Sequence, residues 1–128
     1  MDYIQNTDFI FDNFFEIVNH YLKNIYPNKN NGKYSFECVY GSIEFHNLVK
    51  NNYIIVHEIY IKEIYRNRGL CKDFIKYLID CSKNKYQIVI QSVFSKILYN
   101  FLLKFEYDDY KFILKKDGFY CINKFIKL

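Results

Sequence analysis

The spacing of hydrophobic residues divides the chain into helical and extended segments. Apolar residues three and four positions apart, typical of amphipathic helices, predict a first helix from about Asp8 to Tyr26. Thr7 or Asp8 can cap it, and Pro27 ends it because proline cannot continue the helical hydrogen-bond pattern. The same spacing predicts a second helix from Leu70 to about Ser82 and a third from Ser95 to Lys104.

Segments rich in Phe, Tyr, Val and Ile predict strands. Three predicted strands follow the first helix: Tyr34 to Tyr40, Ser42 to Val49 and Tyr53 to Ile61. Asn51-Asn52 fits a hairpin turn before the last of them. The short turns between these strands predict an antiparallel meander.

The apolar run Ile88 to Ile90, within the segment Gln87 to Val93, predicts a central strand. It follows Tyr53 to Ile61 by way of a helix, so we expect these two strands to be parallel, with a right-handed crossover. A closing hairpin joins Tyr110 to Leu114 with Phe119 to Ile126 through an Asp-Gly turn. The fold class is therefore α+β: a mixed, mainly antiparallel sheet flanked by helices.

Composition limits the class of protein. With 128 residues, 51% of them hydrophobic, the chain is expected to form a single domain over residues 1–128. Its apolar runs are far shorter than the roughly 20 residues of a membrane helix, and its start lacks a secretory pattern. We therefore expect no membrane partner and a cytoplasmic location, where the four cysteines, which show no Cys-x-x-Cys spacing, would be reduced thiols.

The basic residues are almost all lysine, and the chain has no alanine, which suggests an AT-rich coding sequence from a virus, a phage or a low-GC bacterium. The net charge of +4 discriminates little, because lysine enrichment follows from the same codon bias. A small nucleic-acid-binding module is the third candidate function. The lysines are scattered and no aromatic stripe is confined to one strand face, so nucleic acid is not expected as a partner.

Against this background the only two arginines, Arg66 and Arg68, lie beside Gly69 between a predicted strand and a predicted helix. Such a loop offers unpaired amides, the positive end of a helix dipole and close backbone approach, all of which suit a diphosphate. Lys72 could add charge. An ordinary helix start with exposed basic residues explains the loop alone equally well.

The run from Glu58 to Lys72 resembles the central motif of the Gcn5-related N-acetyltransferases, the GNAT family. That motif is a hydrophobic strand, a few polar residues and Gln/Arg-x-x-Gly-x-Gly/Ala at the start of a helix. Arg66, Gly69 and Cys71 occupy its three defining positions, and Cys71 departs from the pattern as a small residue that is neither Gly nor Ala. The element order from Tyr34 onward is also similar to the family fold.

The resemblance implies a GNAT-like acyl-CoA N-acyltransferase fold, with acetyl-CoA as co-substrate and no metal. It implies that the pantetheine arm pairs with the backbone of Ile59, Tyr60 and Ile61, in a slot where this strand and Gln87 to Val93 splay apart. The residues that would hold the pyrophosphate are Arg66, Asn67, Arg68, Gly69, Leu70, Cys71 and Lys72.

His57 is the candidate general base, because a neutral imidazole can accept a proton near pH 7. By its spacing from Arg66 it is similar to the catalytic histidine of arylalkylamine acetyltransferases; a partly buried histidine with a structural role is the alternative. Glu58 should point to the opposite face of the strand unless a bulge intervenes. It is a candidate for binding a cationic acceptor, or a solvated carboxylate.

Tyr99 is the candidate proton donor to the departing thiolate. In relatives a tyrosine precedes a Gly-Phe pair; the counterpart here is Lys104-Phe105, which puts that position on Asn100, one residue after Tyr99. The expected function is an acetyl-CoA-dependent N-acetyltransferase that acts by direct attack of a primary amine. The alternative is a degenerate member that binds acyl-CoA or a protein partner without turnover. The acceptor is a small amine or a protein or peptide amine, and the protein a monomer or homodimer.

Overall fold

The computed structural model describes residues 4–28, 30–48, 53–82, 85–91, 96–107, 110–116 and 120–127. It is an α+β fold built on one mixed sheet of eight strands in the order β1-β2-β3-β4-β5-β8-β7-β6. The strands are β1 Ile4–Phe11, β2 Gly32–Cys38, β3 Gly41–Asn47, β4 Tyr53–Ile61, β5 Gln87–Ile90, β6 Glu106–Tyr107, β7 Tyr110–Lys116 and β8 Tyr120–Lys127. The helices are α1 Phe14–His20, α2 Leu70–Ser82 and α3 Lys96–Lys104.

Strand direction follows the lengths of the connections. β2, β3 and β4 form the predicted antiparallel meander, and β4 pairs with β5 in parallel across the α2 crossover. β1 is parallel to β2, while β8 joins β5 to the closing β7–β8 hairpin through antiparallel ladders. The predicted turns at Asn51-Asn52 and Asp117-Gly118 lie outside the described residues.

The predicted first helix is wrong over its first six residues, which lie in β1 and the following bend. Asn13, not Thr7 or Asp8, caps α1: its Oδ1 accepts from the Glu16 amide at 3.0 Å, and Glu16 Oε2 accepts from the Asp12 amide at 3.0 Å. Phe11 at the end of β1 and Phe14 in α1 enter the same core, so a strand end followed by a helix mimics continuous helical spacing. Beyond α1 the helix widens to a π-helix, Tyr21–Ile25, and ends in a 3₁₀ turn, Tyr26–Asn28.

The main core lies between the sheet and the helices. α1 and α2 pack together through the rings of Phe14 and Phe74, 5.9 Å apart, and a hydrogen bond from the Tyr77 hydroxyl to Asn19 Oδ1. Their inward residues meet the alternating apolar residues of β2 to β5. The fully buried members include Ile17, Val18, Phe36, Ile43, Phe45, Ile54, Val56, Ile75, Leu78 and Ile88.

Within the described residues, no helix is both long and apolar enough to cross a bilayer. Of the described cysteine side chains, Cys38, Cys71 and Cys81 are free thiols.

Candidate functional site

β4 contains a bulge at the candidate base. Its ladder with β3 pairs Glu58 with Glu44 but Val56 with Phe45, which leaves His57 as an extra residue on β4. The inward positions accordingly change from Val56 before the bulge to Ile59 and Ile61 after it. The expectation that His57 and Glu58 lie on opposite faces is therefore corrected, and the bulge that would bring them together is present.

Directly paired residues point to the same side of a sheet, so Glu58 and Glu44 share the face opposite the main core. His57 reaches this face too: its Nε2 lies 3.5 Å from Glu44 Oε2, and its Nδ1 lies 3.3 Å from Gln91 Oε1. Glu44 and Gln91 are absent from the sequence-based site. The signal that could have found them is weak: an acidic residue at an outward position of β3, and an amide that directly follows the apolar run of β5.

The bulge also lies where β4 loses its neighbour. Described pairing between β4 and β5 ends at Val56 and Ile90, with one more bond from the Gln91 amide to the Val56 carbonyl at 2.8 Å. β4 continues to Ile61, and there the Arg66 Nε donates to the Ile61 carbonyl at 2.8 Å. Among the described residues, nothing pairs with the β5 side of the backbone between these two bonds.

Gly41, at the start of β3, fixes the far end of β4. A Cβ there would overlap the Tyr60 carbonyl oxygen and lie 2.9 Å from its carbon, so the Tyr60 carbonyl faces β3. The Ile61 carbonyl faces the other way, toward Arg66. Because backbone groups alternate along a strand, the amide and carbonyl of Ile59 face the β5 side with those of Ile61. Of the three residues predicted to pair with a pantetheine arm, Ile59 is the one whose amide and carbonyl both face this side without a partner among the described residues.

The arginine loop follows a single 3₁₀ turn, Glu63–Tyr65. Asn67 and Gly69 both adopt left-handed conformations, with φ of 64° and 78°. The first α2 hydrogen bond runs from the Asp73 amide to the Gly69 carbonyl, 2.9 Å, so the amides of the first turn have no carbonyl within the helix to donate to. Successive amides near left-handed residues at a helix start form a concave, electropositive cradle.

The space beside Gly69 is open, since a Cβ built there would meet no atom within 4 Å. Arg68 and Lys72 are exposed near it, and Asp73 in the first turn of α2 offsets part of their charge. These features fit a phosphate group held mainly by backbone amides and assisted by cations.

The two arginines have different tasks. Arg66 is bound to the Ile61 carbonyl and lies over the Tyr60 ring, 5.7 Å from its centroid, so its side chain ties the loop to the end of β4. Arg68 lies 5.7 Å from the Tyr65 ring centroid and is otherwise exposed. Arg68 is therefore the better candidate for direct contact with an anion.

Cys71 and Leu70 are half-buried in the first turn of α2 and pack against the core. Burial raises the pKa of the Cys71 thiol to about 11, so it is protonated near neutrality and unsuited to nucleophilic catalysis.

Comparison of this chain with protein-family models, with curated proteins and with solved structures gives no match.

Tyr99 lies on α3, half-buried and packed against the core. α3 itself packs against β7. Its expected role as proton donor stays a prediction.

Proposed function

We propose that the protein is an acetyl-CoA-dependent N-acetyltransferase that acts on a primary amine by direct attack. The observation that carries this proposal is a pair of features joined by the loop between β4 and α2: the β5 side of β4 at Ile59, which no described residue pairs with, and the amide cradle at Gly69 where α2 begins. A strand-like arm that ends in a diphosphate could pair with the first and bind the second.

The residues suit this ligand on three counts. Ile59 offers one amide and one carbonyl, which match the amide groups of a pantetheine arm. The first-turn amides of α2 and the exposed Arg68 and Lys72 suit a pyrophosphate. Arg66 holds the two parts in a fixed relation through its bond to the Ile61 carbonyl.

The chemistry needs an unprotonated amine and somewhere for its proton to go. The amine nitrogen attacks the thioester carbonyl carbon, a C–N bond forms, the C–S bond breaks, and the amine gives up a proton to His57. The thiolate that leaves takes a proton from solvent or from Tyr99. His57 is at the bulge, directly after the last described β4–β5 pair, and its side chain is 23% exposed, so it is accessible to an acceptor.

A competing function is binding of acyl-CoA without turnover. Two features favour it: Cys71 departs from the Gly or Ala of the family motif, and Tyr99 is one residue away from the expected tyrosine position. An assay separates the two functions: the protein is incubated with acetyl-CoA and a panel of small amines and lysine-containing peptides, and free thiol and acetylated product are both measured. We expect acetylated product, and a loss of about 10²–10⁴-fold in kcat/KM for His57→Gln.

His20→Gln is the matched control, because that histidine packs against Phe11 and Phe36 in the core. Its rate should stay near that of the wild type. Coenzyme binding with no product from any amine would favour the binding function, and equal rates for the two variants would remove His57 from the mechanism.

A further inference from the structure

The ring of His57 is held between two side chains from neighbouring strands. Glu44 on β3 lies 3.5 Å from Nε2, and Gln91 after β5 lies 3.3 Å from Nδ1. Both contacts are partly shielded, with 23% of the His57 side chain and 14% of the Glu44 side chain exposed. The bulge produces this arrangement, because it adds His57 on the face where Glu44 lies.

Electrostatics selects between the two neutral forms of the ring. With the proton on Nε2, an N–H dipole points at the Glu44 carboxylate, whereas the other form points a lone pair at the same negative charge. The Nε2–H form is therefore favoured, and the basic lone pair is on Nδ1, toward Gln91 and the end of the β4–β5 ladder.

The Gln91 amide can complement either charge state. The amide Oε1 lies 3.3 Å from Nδ1, where it can accept from a protonated Nδ1; when Nδ1 carries a lone pair, rotation of the side-chain amide by half a turn lets its NH₂ donate to that lone pair. The Gln91 backbone does not need to move, because its amide is bonded to the Val56 carbonyl.

We propose that Glu44 and Gln91 are positioning residues for His57. Glu44 keeps the proton on Nε2, so Nδ1 is the nitrogen that accepts the proton from the attacking amine, and the Gln91 side-chain amide reverses when Nδ1 is protonated. The catalytic meaning of this arrangement rests on the proposed acetyl transfer, but the tautomer and the amide reversal do not.

Other titratable groups face the same region. On β3, the His46 ring centroid lies 6.2 Å from that of His57, and on β4 Glu58 pairs with Glu44. The spectra must therefore be assigned to single residues, with His46→Gln and His57→Gln variants.

Long-range ¹H–¹⁵N NMR spectra of the labelled full chain test the proposal without coenzyme. We expect neutral His57 to be protonated at Nε2, and the Gln91 side-chain amide signals to move in step with the His57 ring as the pH is lowered. Gln87, at the start of β5, is the matched amide whose signals should stay in place. In Glu44→Gln the preference for Nε2–H should weaken, and in Glu37→Gln, which removes an exposed carboxylate on β2, it should not.

With an amine from the panel, Glu44→Gln should lower kcat/KM by about fivefold, the size of a partly solvated charge contact, and Glu37→Gln should leave it unchanged. Two results would overturn the proposal even if acetyl transfer occurs: a neutral His57 ring with its proton on Nδ1, or Gln91 side-chain signals that do not change when the His57 ring signals do. Failure of coenzyme binding, with the expected tautomer observed, would instead remove the acetyltransferase function and support the ring geometry.

Discussion

Gly41 and Gly69 both have positive φ values, 156° and 78°, yet replacement by alanine should have very different consequences. At Gly69 the new methyl group meets no atom within 4 Å, so the loss of stability is limited to backbone strain of about 1–2 kcal/mol. At Gly41 the methyl group overlaps the Tyr60 carbonyl oxygen and lies 3.0 Å from the Ile61 Cα, which adds about 1–3 kcal/mol of overpacking.

Coenzyme binding should show the opposite order. The Gly69 methyl group adds bulk and backbone strain to the loop whose amides form the proposed pyrophosphate cradle, so Gly69→Ala should weaken coenzyme A binding by about tenfold or more, a loss of about 1.4 kcal/mol. Gly41→Ala leaves the cradle intact and disturbs only the end of β4 at Tyr60 and Ile61, so we expect it to weaken coenzyme A binding less than Gly69→Ala does.

Urea unfolding measures the first effect, and calorimetry with coenzyme A measures the second. The chain has 14 tyrosines and no tryptophan, so tyrosine emission and circular dichroism are the probes. With m of about 1–3 kcal/mol/M, Gly69→Ala should lower the midpoint by about 0.3–2 M and Gly41→Ala by more. Equal midpoint losses would contradict the described contacts, and unchanged affinity in Gly69→Ala would refute the cradle.

Three further predictions follow from single contacts. Arg66→Ala should lower the free energy of unfolding by about 1 kcal/mol through loss of the bond to the Ile61 carbonyl, while Arg68→Ala should leave stability nearly unchanged and weaken coenzyme A binding; the reverse pattern in urea unfolding and calorimetry would contradict their assigned tasks. Because burial raises the pKa of Cys71 to about 11, iodoacetamide should label it slowly at neutral pH and faster with each rise in pH toward that value, as measured by peptide mass spectrometry; fast labelling at neutrality would show an exposed or activated thiol. Burial, with Tyr26 and Tyr34 nearby, raises the pKa of Tyr21 well above the usual value of about 10. The contribution of neutral Tyr21 to stability is therefore complete below about pH 10 and is lost as the pH rises above it. The urea midpoint should fall more steeply above about pH 10 in the wild type than in Tyr21→Phe, and parallel pH profiles of the two proteins would contradict this.

Local sequence signals predicted the part of the fold that positions the site. β4 and α2 were predicted with their observed bounds, because dense β-branched and aromatic residues define the strand and Gly69 precedes a long amphipathic helix. β1 could not be separated from α1, since Phe11 and Phe14 enter one core from a strand and a helix.

The site itself depends on pairing between distant segments. The bulge at His57 is invisible in β4 alone, since only the register against Glu44 and Phe45 reveals the extra residue. The contacts of His57 with Glu44 and Gln91 likewise join three strands. Sequence spacing could identify His57 as a candidate base, but it could not identify Glu44 and Gln91, the side chains in contact with its ring.

We propose that one ligand occupies both β4 and the loop. Titration of ¹⁵N-labelled protein with coenzyme A, followed by amide NMR, tests whether the two parts bind together. We predict that the amide signals of Ile59 and of Asn67 to Lys72 shift together along one saturable curve. Absence of any shift, or shifts confined to other parts of the chain, would contradict the account.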